Sequence, residues 1–259
     1  MRRLSLWLVA AAACIASEAM GVTVNIDFQP TINDPSVSNN YTVNYSGTAA
    51  SPDAGTVWNS LLSNNPSPAV FIGPPGYYDE VGGAVSSYTD LVDSNGNATS
   101  IDISFDAGGA FAVVDGAPNF PNISTDATGL MRDYLIAFGG APRTATLSGL
   151  PAGQQVKLWL YGEGDNLSND RQTTFNANGV IASTVGDAPA NSPLTLGSDY
   201  VVLENVFANA NGEVVISYAP NGAPEGPFNG LQMTLVPEPA TFALVGLAGL
   251  GLIGVRRQR

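Results

Sequence analysis

The stretch Val22-Thr23-Val24-Asn25-Ile26-Asp27-Phe28 decides the fold. In an extended chain successive side chains point to opposite faces. Val22, Val24, Ile26 and Phe28 therefore share one face, and Thr23, Asn25 and Asp27 share the other. The same period of two recurs in Thr99–Phe105, where Ile101, Ile103 and Phe105 oppose Asp102 and Ser104. It recurs again at Val214, Ile216 and Tyr218, and at Leu231, Met233 and Leu235. Turn dipeptides punctuate these runs: Asn95-Gly96, Asn178-Gly179, Asn211-Gly212 and Asn221-Gly222. Apolar alternation broken by Asn-Gly pairs predicts antiparallel strands joined by tight turns. Many short strands without long helices predict an all-β chain, an antiparallel β-sandwich or jelly roll. Asp126–Phe138 reads as a short helix leading into a strand, which periodicity alone does not decide. The Pro- and Asn-rich stretches 63–75, 187–193 and 219–227 read as long loops. No internal repeat or composition shift divides residues 22–236, which read as one β-sandwich domain.

Composition excludes several chemistries. The 259-residue chain has no histidine and one cysteine, Cys14, inside an N-terminal apolar run. Imidazole acid–base catalysis, histidine or thiolate zinc sites, cysteine nucleophiles and disulfides are thereby excluded from residues 22–236. Of the nine basic residues only Arg132, Arg143, Lys157 and Arg171 lie in that stretch, against 20 of the 22 acids, a net charge of −16. Such a surface repels nucleic acid and anionic membrane, and it attracts divalent cations. Neither a G-x-S-x-G nucleophile elbow nor a lysine-bearing phosphate loop is present. Twenty acids offer many carboxylate pairs of the kind glycoside hydrolysis uses, but no motif singles one out.

The two ends carry addresses. Met1-Arg2-Arg3, an apolar run from Leu4 to Ala13, and small residues near Ala19 and Gly21 give residues 1–21 the layout of a secretory signal peptide. At the other end Ala240–Val255 is uncharged. At the helical rise it spans roughly 24 Å, a minimal transmembrane helix. Arg256, Arg257 and Arg259 follow and hold that end in the cytoplasm. Pro237-Glu238-Pro239, the short apolar helix and the arginines Arg256 and Arg257 together resemble the PEP-CTERM sorting signal of bacterial surface proteins. The resemblance implies export across the inner membrane and a membrane-anchored precursor. It further implies cutting by an exosortase near Pro-Glu-Pro and transfer to the cell surface or exopolysaccharide matrix. The expected organisation is signal peptide 1–21, β-sandwich 22–236 and sorting tail 237–259, with the membrane helix at 240–255.

A second resemblance covers most of residues 22–236. Ala54–Asn59, Leu91–Gly96, Leu147–Gly153 running into Leu158–Gly162, and Phe228–Gln232 are similar to a layout of galactose-binding-like jelly rolls on secreted bacterial proteins. It implies the fold and no particular ligand.

Three groups of residues are candidates for a site. In Val156–Tyr161 alternation puts Lys157, Trp159 and Tyr161 on one face. A lone lysine is seldom fully buried, so that face is expected to be partly wet. Trp159 and Tyr161 would then form a flat platform on which a sugar ring stacks, with Trp58 as a second candidate. Glu163, Asp165 and Asp170 gather carboxylates in one loop that could hold calcium, the only cofactor the sequence suggests. Asp93-Ser94-Asn95-Gly96-Asn97 has ligand-type residues at alternate positions. Its glycine stands fourth instead of sixth and Ser104 occupies the twelfth place, so it reads as a hairpin turn and not an EF-hand. The reading as a whole is an exported, non-enzymatic protein of the extracellular polysaccharide matrix that binds carbohydrate. Its expected partners are an exosortase, polysaccharide and, before processing, the membrane; nucleic acid is not among them. The alternatives are a structural matrix protein without a defined ligand and a carboxylate-dependent glycan hydrolase or lyase.

Overall fold

Among the described residues three sheets account for the strands, numbered here in chain order. In a computed structural model the described residues are 21–29, 45–52, 55–63, 70–73, 77–81, 85–113, 127–139, 141–164, 171–186 and 193–237. The first sheet has the spatial order Tyr200–Phe207 (β13), Gln155–Tyr161 (β10), Gly230–Leu235 (β16), Thr23–Gln29 (β1) and Asn59–Leu62 (β2). The second runs Val180–Ser183 (β12), Thr173–Ala177 (β11), Val214–Pro220 (β14), Arg143–Ser148 (β9), Asp102–Phe105 (β6) and Ser86–Tyr88 (β5). The third runs Glu225–Phe228 (β15), Asp133–Phe138 (β8), Gly109–Val113 (β7), Tyr77–Val81 (β4) and Val70–Gly73 (β3). All but one of the ladders are antiparallel, as the sequence predicts. The exception is β1 with β2, which run parallel with Ile26 opposite Asn59. Val22–Val236 makes one compact unit.

The core lies between the first two sheets. From one side come Val24, Ile26 and Phe28, with Val156, Leu158 and Leu160, Leu231 and Met233. From the other come Ile103, Phe105, Leu147, Phe175, Val214, Ile216 and Tyr218. Phe228 sits among Phe28, Phe175 and Tyr218 with ring centroids 4.9–5.1 Å apart, the two phenylalanines edge-on, a favourable geometry for rings carrying a quadrupole. Asn178-Gly179 closes the β11–β12 hairpin as the sequence predicts. Both residues are left-handed, at φ 46° and 96°, as a two-residue turn between twisted strands requires.

Two of the expected loops contain strands. Val70-Phe71-Ile72 is rich in β-branched and aromatic residues, and it forms β3 inside a stretch whose prolines suggested a loop. Glu225-Gly226-Pro227-Phe228 forms β15, where Pro227 is tolerated because β15 is an edge strand. In Asp126–Phe138 the helix-then-strand arrangement is found: Thr128–Met131 is a single helical turn (α1) that leads into β8. Among the described residues no helix is long and apolar enough to cross a membrane. The expected membrane helix 240–255 and the signal-peptide residues up to 20 lie outside the described residues, as do Glu238, Pro239, Arg256 and Arg257.

Candidate functional site

The outer face of the first sheet carries the polar half of the β1 pattern. Strand register aligns Asn25, Gln232, Trp159 and Val202 in one cross-strand row. Ser60, Asp27, Gly230, Tyr161 and Tyr200 form the next. A half-wet sheet would leave both rows in solvent, yet every residue of β1 is buried. The face is covered by a second cluster in which Trp58, Ala127, Leu130, Met131, Trp159 and Tyr161 pack with Tyr45, Ala49, Ala50 and Leu194. A Cβ added at Gly230 would stand 2.8 Å from Leu130 Cδ1 and 2.4 Å from the Ile26 carbonyl oxygen. The missing side chain is therefore what lets α1 lie against the sheet.

Hydrogen bonds hold the cover in place. The backbone N–H of Ala50 donates to the Tyr161 hydroxyl at 2.8 Å, and that of Ser51 donates to Gln232 Oε1 at 2.9 Å. The Tyr161 hydroxyl itself donates to Gln232 Oε1 at 2.5 Å. Gln232 Nε2 donates to Asn25 Oδ1 at 3.0 Å, and Asn25 Nδ2 reaches the Val57 carbonyl at 3.0 Å. Trp58 Nε1 donates to the Gly47 carbonyl at 2.9 Å.

This corrects the expected platform. Trp159, Tyr161 and Trp58 are 6%, 0% and 7% exposed, so none offers a ring face to solvent. Lys157, the residue that suggested a wet face, is half-buried. Its ammonium stands 5.0 Å from the Trp159 ring centroid and 2.7 Å from Glu204 Oε1 at the sheet margin. A long side chain can cover an aromatic ring with its stem while its charge stays wet.

Next to this cover lie carboxylates that sequence reasoning did not single out. Asp27 accepts a hydrogen bond from Gln29 Nε2 at 3.1 Å, but burial pushes its pKa up to about 8 despite that bond and the nearby Arg132 charge. Asp133, equally buried, is raised well above the carboxylate range by burial and then by the charge of Asp27, with Arg132 opposing. Asn229 joins this region to the end of β10. Its Nδ2 donates to the carbonyls of Met131 and Asp133 at 3.0 and 3.1 Å, and its Oδ1 accepts the Glu163 N–H at 2.9 Å. Glu163 is 2% exposed, and burial followed by the charge of Asp199 pushes its pKa up to about 10. The signal available in sequence was slight: Asp27 stands on the polar face of β1 and Asp133 at the start of the otherwise apolar β8, and alternation assigns the first of these to solvent.

Of the expected calcium ligands, Glu163 is placed at this buried position, whereas Asp165 and Asp170 lie outside the described residues. Among the described residues no three acids converge. The Asp93 segment forms the expected turn. Its carboxylate accepts from the N–H groups of Asn95 and Asn97 at 2.9 and 2.8 Å and from Asn97 Nδ2 at 3.0 Å, and these bonds lower its pKa. Near this turn, Val22, Thr99, Ser100, Leu150, Pro151 and Leu235 line an open, mainly apolar groove of about 240 Å³.

Residues 235–259 match the PEP-CTERM protein-sorting motif. No curated protein matches the chain. Among solved structures, similarity extends to an exo-β-1,3-galactanase from Phanerochaete chrysosporium with β-1,3-galactotriose, at 12% identity and a TM-score of 0.25. That alignment covers 52% of this chain and 41% of the galactanase, so the chain spans under half of that protein. The CBM22-1 xylan-binding domain from Paenibacillus barcinonensis aligns at 9% identity and a TM-score of 0.26, over 68% of this chain and all of that domain. TmCBM61 in complex with β-1,4-galactotriose aligns at 14% identity and a TM-score of 0.17, over 40% of this chain and 66% of that one.

Proposed function

We propose that this chain is an exported protein whose C-terminal motif hands it to an exosortase, and that its β-sandwich serves at the cell surface or in the extracellular polysaccharide layer as a non-enzymatic, carbohydrate-contacting module. The observation that carries the reading is the sorting motif over residues 235–259. That motif implies export and a membrane-held precursor. The acidic body, with a net charge of −16 between Val22 and Val236, suits a protein that must stay soluble among polysaccharides and away from nucleic acid.

One observation favours a structural matrix role over sugar recognition. Trp58, Trp159 and Tyr161 are engaged in packing, so stacking on a sugar ring has to come from elsewhere on the surface. A retention assay on the native exopolysaccharide, run with a glycan array and a reducing-sugar release assay, separates the readings. Retention without sugar release supports the module. Neither retention nor array binding turns the reading to a structural protein, and release of reducing ends makes it an enzyme.

A further inference from the structure

Leu235 is the first residue of the matched sorting motif, and it also lines the groove near the Asp93 turn. Val22, Ile101, Leu150 and Pro151 supply the rest of its apolar lining. The walls are fixed backbone to backbone. A Cβ at Gly149 would stand 1.9 Å from the Ser100 carbonyl oxygen, and one at Gly212 2.1 Å from the Leu150 carbonyl oxygen. The Leu150 N–H donates to the Gly212 carbonyl at 3.2 Å. The polar groups of the lining are engaged within the fold. Thr99 Oγ1 donates to the Leu91 carbonyl at 2.6 Å and accepts the Ile101 N–H at 3.1 Å. The Asp93 carboxylate takes its bonds from its own turn. Among the described residues no aromatic side chain lines the groove. At about 240 Å³ it is smaller than a small-molecule pocket, which starts at roughly 300 Å³. The groove therefore offers no platform for a sugar ring and few hydrogen bonds. It fits an apolar side chain or two.

Contour length decides what reaches this groove. A cut within Pro237–Ala240 falls at most four residues past Val236, roughly 14 Å at full extension. A small protein domain is about 30 Å across. An enzyme whose cleft holds that bond has to rest against the body where Leu235 and Val236 end the sheet. We propose that the groove is a docking site for the exosortase, which seats an apolar side chain of its outer face there while its cleft holds the tail. The inference rests on exosortase processing. The net charge of −16 between Val22 and Val236 sets the body against an anionic lipid surface, which leaves the enzyme as the occupant. Coupling a groove contact to the tail contact makes the second one intramolecular, so the pair holds the substrate more tightly than either alone.

The test is the rate at which the full-length precursor is cut in its own cells, followed by pulse-chase. Ser100→Glu and Pro151→Glu each place a charge on an exposed residue of the groove rim and leave the motif untouched. Each should slow cutting on the order of tenfold, because a charge taken into an apolar contact without a partner costs at least that factor. Leu196→Glu is the control. It adds the same charge beside Tyr200, at the opposite end of the first sheet from Leu235, and should be cut at the wild-type rate. Thermal melts of the purified chains show whether each variant is folded, and if one groove variant is not, the other decides. Wild-type rates in the folded groove variants overturn the docking site while leaving exosortase processing intact. Equal slowing in Leu196→Glu also overturns it, because charge and not the groove is then responsible. A wild-type chain that keeps Arg259 overturns processing itself, and the docking site with it. The occupant is read separately, from Ser100→Cys labelled in membranes with a thiol-reactive photo-crosslinker. An adduct identified by mass spectrometry as the exosortase supports the site. An adduct only with lipid or with a second copy of this chain overturns it.

Discussion

Asp27 stands on the polar face of β1, and the cover over that face sets its chemistry. Its folded-state pKa is raised to about 8, whereas an exposed aspartate titrates near 4. Between those values the folded chain holds a proton that the unfolded chain has lost. The stability associated with this proton is complete below about pH 4, falls as pH rises, and is gone above about pH 8. The slope for one proton is about 1.4 kcal/mol per pH unit. Asp27→Asn should flatten the pH dependence of unfolding between pH 5 and 8 by about that slope, as urea melts across the range would show. Part of the wild-type slope should remain, because Asp133 and Glu163 are shifted in the same direction. Trp159 illustrates the limit of reading one strand at a time. Alternation placed it on the same face as Lys157 and Tyr161, but only the segment around residues 45–58 and α1 determine that this face is covered. Trp159→Ala should therefore cost about 3–5 kcal/mol of stability, as core aromatic truncations do. Denaturant unfolding checks this, and a variant as stable as the wild type would return the ring to the surface.

At the scale of elements, legibility followed how local the cause was. The β11–β12 hairpin was readable because Asn178 and Gly179 by themselves supply the two left-handed positions the turn needs. The strands β6, β14 and β16 were readable because each buries its apolar alternates against one core. The strand β15 was hidden because Pro227 is a strand breaker except at an edge, and edge position is a property of the assembled sheet. The parallel pairing of β1 with β2 and the burial of Asp27 and Tyr161 in one cross-strand row were hidden for the same reason. The docking of α1 depends on Gly230, whose open side receives Leu130. Gly230→Ala should destabilise the fold by about 1–3 kcal/mol, the usual cost of overpacking, and possible relief through Leu130 is limited because the Ile26 carbonyl is backbone. Leu130→Ala empties a buried core position and should itself cost about 2–5 kcal/mol, but it vacates the side chain that the new methyl meets, so the double variant should lose less than the sum of the two single losses.

At the scale of the whole molecule, the body closes on its own ends. Thr23 pairs with Thr234 across β1 and β16, and the Leu235 N–H donates to the Val22 carbonyl at 2.9 Å. Val236 is held by both of its backbone groups. Its N–H donates to the Gln155 carbonyl, and its carbonyl accepts from Gln154 Nε2, each at 2.9 Å. A protease needs an extended, unpaired stretch in its cleft, so cutting on the body side of Val236 would first have to peel β16 from two neighbouring strands. The sorting motif begins at residue 235, and its Pro-Glu-Pro element follows Val236 directly in the sequence. The processed C-terminus is accordingly expected between Pro237 and Ala240, and the processed N-terminus near Val22, which leaves the β1–β16 ladder intact. Intact-mass spectrometry of the protein recovered from the cell surface measures both ends in one experiment. A mass that includes Arg259 would overturn exosortase processing and leave the tail as a permanent anchor. A C-terminus upstream of Val236 would mean that the paired end of β16 opens before the cut.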